Sequence, residues 1–140
     1  MKLTLFDTEN KYSDDFLDFI NRYIIIKIIS SINTRKIQPI EEYINQYSDI
    51  PTLFKKYISV NEVIISGAYN IIYSRINNKI VFEIDPTQIY SGTSAKLNEL
   101  CKLINYGNLV VKGYPIFTKA FDYFKDNIDN YYDNYMQGGF

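Results

Sequence analysis

The chain has no histidine and no tryptophan, and among its 140 residues there is one cysteine, Cys101, and three arginines, Arg22, Arg35 and Arg75. Without histidine the commonest general base, the commonest proton shuttle near neutral pH and the commonest nitrogen ligand for metals are missing. One cysteine and no histidine cannot build a Cys/His zinc site, and neither a Cys–His nor a Ser–His nucleophile pair can form within the chain. Cys101 has no intramolecular disulfide partner, and it sits in an apolar helical stripe where a thiol behaves as a small hydrophobe. A reducing compartment is therefore expected. Lys96 and Lys102 are near it in sequence, but its place beside Leu100 on the apolar side favours burial over reactivity.

Other scarcities narrow the function classes further. Few arginines means few bidentate readers of phosphate or guanine. With 15 Lys+Arg against 16 Asp+Glu there is no global cationic field either, so nucleic acid is not the expected partner. The six glycines are scattered singly apart from Gly138-Gly139, which leaves no phosphate-cradling loop. The most apolar run, Ile24 to Ile29, carries Lys27 and is far shorter than the roughly 20 residues that span a bilayer, so no membrane partner is expected. The opening residues lack the apolar core and cleavage site of a secretory signal, and no export is expected.

What is present is ordinary for a folded domain, with 46% hydrophobic and 22% charged residues. Isoleucine, asparagine, lysine and tyrosine abound, the bias of an AT-rich genome such as that of some bacteria and their phages. Ser13 before Asp14 and Asp15 predicts a helix start, and a helix from Asp14 to Ile32 follows. In it Leu17, Ile20, Ile24 and Ile28 form one stripe, with Phe16, Phe19, Tyr23 and Ile26 forming a second beside it. Burial over more than half the circumference is predicted. Ile40, Tyr43, Ile44 and Tyr47 after Pro39 suggest a short helix, and Pro51 with Leu53, Phe54, Tyr57 and Ile58 another, the prolines lying between periodic segments.

Asn77-Asn78, flanked by β-branched and aromatic residues, predicts a hairpin with arms Ile71 to Ile76 and Lys79 to Ile84. Ile80, Phe82 and Ile84 would then share one face. Leu3 to Phe6 is a candidate third strand. Thr93 or Ser94 is read as the cap of a helix carrying Leu97, Leu100, Cys101 and Ile104 and ending at Gly107. Leu109 to Val111 reads as a short strand. Beyond Gly113-Tyr114-Pro115, a last helix repeats Phe117, Phe121, Phe124, Ile128, Tyr131 and Tyr135 at intervals of four and three. The sum is an α+β fold: a mainly helical single domain over residues 1–136 with a small antiparallel β-hairpin, then an exposed tail at 137–140.

The carboxylates have plain explanations. Asp14 and Asp15 fit a helix first turn, and Asp122, Asp126, Asp129 and Asp133 share one face of the last helix, which a solvated surface explains better than catalysis or metal binding. Glu41/Glu42 and Glu83/Asp85 show no calcium-loop spacing. No catalytic residue, cofactor or metal ligand is therefore assigned. Tyrosine is the anomaly, with 14 copies, several in the last helix. Its apolar body and polar tip suit interfaces, and a helix with Phe on one side and Tyr on another can touch both its own core and a neighbour. The candidate interface residues are Tyr12, Tyr132, Tyr135, Met136 and Phe140.

The residues Ile84-Asp85-Pro86 through Gly92-Thr93, then Lys96-Leu97, Leu100, Leu103-Ile104 and Tyr106-Gly107-Asn108, with Lys112-Gly113-Tyr114-Pro115-Ile116-Phe117, make up a pattern. It resembles small virion structural proteins of tailed bacteriophages and covers residues 84–117. The resemblance implies a non-enzymatic subunit of a neck, tail or connector, with other virion proteins or copies of itself as partners. It also implies location in the virion, and in the host cytoplasm before assembly. A homo-oligomer is expected on this reading. The alternative is a small phage or bacterial regulator that binds and inhibits a host protein. An exposed C-terminal arm favours the first, and an acidic face on the last helix favours the second. An enzyme using only carboxylates, Tyr or Lys would need a pocket of perturbed carboxylates.

Overall fold

The computed structural model describes residues 1–47, 50 and 58–138. Among these, three strands and five helices follow the order β1 (Leu3–Phe6), α1 (Asp14–Ser30), α2 (Thr34–Ile44), α3 (Val60–Tyr69), β2 (Ile71–Ile76), β3 (Lys79–Ile84), α4 (Leu97–Tyr106) and α5 (Ile116–Met136). The fold is α+β. The hairpin β2–β3 turns at Asn77, whose φ of 55° suits asparagine, and β1 adds antiparallel to β3, giving the sheet order β1-β3-β2. Helices cover one face of this sheet: α1 packs against β2 and α5 against β1, with α3 behind α1 and α4 behind α3.

The inward residues follow from strand alternation. Leu3 and Leu5 of β1, and Ile80, Phe82 and Ile84 of β3, are all buried, and they meet Leu17, Ile20, Ile24 and Ile28 of α1 and Phe117, Phe121 and Phe124 of α5 in one core. α1 starts where expected, the Phe16 amide donating to Ser13 Oγ at 3.2 Å. It stops at Ser30, two residues short of the expected Ile32, because the Ser30 and Ser31 hydroxyls both donate to the Lys27 carbonyl and close the last turn. The second stripe of α1 is only partly buried, with Ile26 exposed while Phe16 is enclosed.

Three further expectations are corrected, and one helix lies where none was expected. Pro39 lies inside α2, not before it; the Asn33 side chain starts the helix by accepting from the Arg35 amide, and Ile37, Ile40 and Ile44 anchor the inner face, so the one hydrogen bond that proline removes is tolerated. Residues 60–69 form α3, for which no element was assigned from the sequence. α4 begins at Leu97 after Lys96 rather than at Thr93 or Ser94. Thr93 Oγ1 instead donates to the Tyr90 carbonyl and accepts from the Ala95 amide, tightening a turn beside the Ile89–Lys96 bridge. Leu109 and Val110 are not strand residues but the exposed tip of a loop, whose base is the Gly107–Lys112 bridge and whose interior is the Asn108 carboxamide accepting from the Val110 and Val111 amides. Of the helix expected from Pro51 to Ile58, residues 51–57 lie outside the described residues, and Ile58 is buried but not helical.

Candidate functional site

The loop from β1 to α1 is built around Asp7, a buried carboxylate. It accepts from the Lys11 and Tyr12 amides at 2.9 and 3.0 Å and faces Arg75 Nη1 at 3.5 Å, while Arg75 Nη2 donates to the Tyr12 carbonyl at 2.6 Å. This hub fixes Tyr12 and thereby places the aromatic residues that follow. Neither Asp7 nor Arg75 stood out in the sequence beyond Asp7-Thr8-Glu9-Asn10 having turn composition.

Tyr12 stacks on Phe16 at 5.4 Å between centroids and meets Tyr132 edge-on at 5.3 Å. Tyr132 also meets Phe16 edge-on, and Tyr135 packs on both Phe16 and Phe19 at 5.3 Å. Three of the five candidate interface residues thus converge on one seam between α1 and the C-terminal half of α5. Tyr12 is only 5% exposed, which makes its ring a core element of this chain rather than an outward contact. Tyr132 and Tyr135 are half-buried, Met136 projects outward at 65% exposure, and Phe140 lies outside the described residues.

The seam has an ionic rim. Lys11 Nζ sits 5.1 and 5.2 Å from the Tyr12 and Tyr132 ring centroids and 3.6 Å from Asp129 Oδ1, which also accepts from the Tyr12 hydroxyl at 3.3 Å. The Tyr12 phenol and Asp129 beside it hold the Lys11 ammonium above its ordinary pKa, and burial raises that of the Tyr12 phenol. A cleft of about 420 Å³ adjoins, lined by Asp7, Glu9, Lys11 and Asp129 among others. Asp7 and Asp129 are both engaged there by the contacts just given, which are structural bonds between segments. Burial pushes the Cys101 thiol up, so the one thiol is a core group held in its protonated form. Among the described residues no group of Cys, Asp and Glu could hold a metal ion, and no helix is long and apolar enough to cross a membrane.

The outer face of the sheet presents a different surface. The register aligns Phe6, Lys79 and Ile76 in one row, Thr4, Val81 and Ser74 in the next, and Glu83 with Ile72 beyond. Phe6, Ile76 and Ile72 are 74%, 69% and 46% exposed, and Lys2 pairs with Glu83 at the margin at 3.5 Å. No described element covers this face, and the outer edges of β1 and β2 are unpaired among the described residues. Comparison of the chain with protein-family models, curated proteins and solved structures finds no match.

Proposed function

We propose that the chain is a non-enzymatic structural subunit of a multi-protein assembly, a component of the neck, tail or connector region of a tailed-phage virion. The observation that carries the assembly reading is the bare outer face of the sheet. A thin three-stranded sheet with Phe6, Ile72, Val81 and Ile76 on its solvent side and two edges open among the described residues has the form of a surface completed by another chain. The resemblance of residues 84–117 to virion proteins supports the finer placement. Met136, exposed near the end of α5, is a candidate for a second contact region. A second reading, a regulator that binds a host protein, is favoured by one observation: Asp122, Asp126, Asp129 and Asp133 all stand exposed along α5.

The test is solution mass by light scattering across a concentration series, for the wild-type chain and for the double variant Phe6→Glu, Ile76→Glu. The expected result is a wild-type mass that is a multiple of 16.5 kDa and a double variant of lower mass at every concentration with an unchanged circular dichroism spectrum. A wild-type chain at single-chain mass throughout would remove self-assembly and move the weight to the regulator.

A further inference from the structure

Two adjoining cavities of about 380 and 400 Å³ lie where the end of α1, the start of α2 and the start of α5 meet, and they share Lys36, Tyr114 and Lys119. Lys27 adds a third lysine to the first and Lys112 a third to the second, the rest of the lining is uncharged, and no Asp or Glu contributes to either. None of these four lysines makes an ion pair among the described residues; Lys27 lies over the Tyr123 ring at 4.4 Å. The floor is fixed, because the Tyr114 hydroxyl donates to the Ser31 carbonyl at 2.5 Å and accepts from the Asn33 amide at 3.0 Å. In a chain with net charge −1, this is a concentrated cationic groove.

The kind of anion it suits follows from what the backbone does there. The Phe117 and Thr118 amides donate to Asn105 Oδ1, Ile116 to the Tyr114 carbonyl and Lys119 to the Pro115 carbonyl. The Arg35 and Lys36 amides are taken by Asn33. With these amides spent and no arginine in the lining, the groove lacks the fixed N–H fork that grips one phosphate. Its donors are mobile point charges on separate segments, suited to several carboxylates spread along a surface.

Such a surface exists on α5. Asp122, Asp126, Asp129 and Asp133 recur at intervals of four, three and four, one stripe spanning about 16 Å at a rise of ~1.5 Å per residue. All four are exposed, and only Asp129 has an ion-pair partner among the described residues, Lys11. Like charges at this spacing disfavour the helix on its own, so an outside cation stabilises it. We infer that the acidic stripe of α5 docks into the lysine groove of a second copy of this chain. The two surfaces differ, so the contact is heterologous and propagates into a ring or filament. The inference rests on the assembly reading and adds a second contact to the sheet face.

Charge reversal tests it by sedimentation. One variant carries Lys36→Glu, Lys112→Glu and Lys119→Glu, the other Asp122→Lys, Asp126→Lys and Asp133→Lys, so that each surface changes sign although Lys27 and Asp129 are kept. Each alone should self-associate about tenfold or more weakly than the wild type, because groove and stripe then carry the same sign. Their equimolar mixture should regain association, since each groove now meets an opposite stripe, and so should a chain carrying all six substitutions. Wild-type association should weaken at roughly 1 M salt, where the Debye length is about 3 Å. Variants that associate as the wild type does, or a mixture that fails to recover, overturn the stripe-to-groove contact while leaving the assembly reading in place. Inorganic phosphate bound by the groove, with association indifferent to reversal, overturns it in favour of an anion site. A wild type that is single at every salt concentration fails the assembly reading itself.

Discussion

A Cβ placed on Gly67 would lie 2.6 Å from Cys101 Sγ, 3.1 Å from Phe117 Cζ and 3.4 Å from Ile84 Cδ1. Gly67 is mid-helix in α3, where alanine ordinarily gains up to ~1 kcal/mol. Here steric cost decides the sign, since Cys101 and Phe117 are fully buried and cannot swing into solvent. Gly67→Ala is expected to destabilise the fold by about 1–3 kcal/mol. Cys101→Ala alone leaves a small void, which the Gly67→Ala methyl then fills, so the double variant should be more stable than the sum of the two singles. Urea unfolding of the four chains measures the coupling, and additive losses would show that sulfur and glycine do not share this space.

At the scale of elements, α5 is capped from outside itself. Pro115 offers no side-chain cap, and the buried Asn105 of α4 takes its place, accepting from the Phe117 and Thr118 amides and donating to Thr118 Oγ1 at 2.7 Å. Asn105→Ala strands two amides away from water and should cost about 1–3 kcal/mol, with loss of hydrogen-exchange protection in the first turn of α5. Asn108→Ala also removes two bonds accepted from backbone amides, but in an exposed loop where water replaces them, and should cost much less; equal losses would refute the role of burial. This cap joins residues 12 and 13 apart and was not readable from local pattern. What was readable is what repeats locally: the cap and stripe of α1, the Asn77 turn, the third strand Leu3–Phe6 and the Phe stripe of α5. α3 shows the limit from the other side. Its buried Val60, Val63, Ile64, Gly67 and Ala68 have full helical spacing, yet β-branched residues dilute the helix signal and Ser59 makes no side-chain cap bond. The aromatic seam was legible as a tyrosine-rich helix but not as the partner of Tyr12, since that contact depends on Asp7 and Arg75 closing a loop. The lysine groove was not legible at all, because residues 27, 36, 112 and 119 meet only in the fold.

Across the whole molecule, phenols join the layers that the hydrophobic core holds together. Tyr73 of β2 donates to Asp18 of α1 at 2.9 Å and Tyr12 ties the first loop to α5, while within α5 Tyr131 shares a hydrogen bond with Tyr123 at 3.4 Å. Burial, then these bonds, pushes Tyr73 and Tyr131 up to about 12, and burial raises Tyr12 and Tyr90 as well. The folded state thus holds phenolic protons that the unfolded chain releases near 10.0. Because the folded pKa is the higher one, this contribution is fully present below 10.0 and is lost as pH rises toward about 12, so stability falls with alkalinity. No imidazole titrates anywhere in the chain, so a decline in this window is not preceded by a histidine step near neutrality. Urea unfolding at stepped alkaline pH, read beside tyrosinate absorbance, checks the argument. The midpoint should drop between 10.0 and about 12 while a fraction of the tyrosines resists ionisation until unfolding. A folded chain whose tyrosines all titrate at 10.0, with stability unchanged through that range, would mean that the phenols are solvated and that apolar packing alone joins the sheet to its helices.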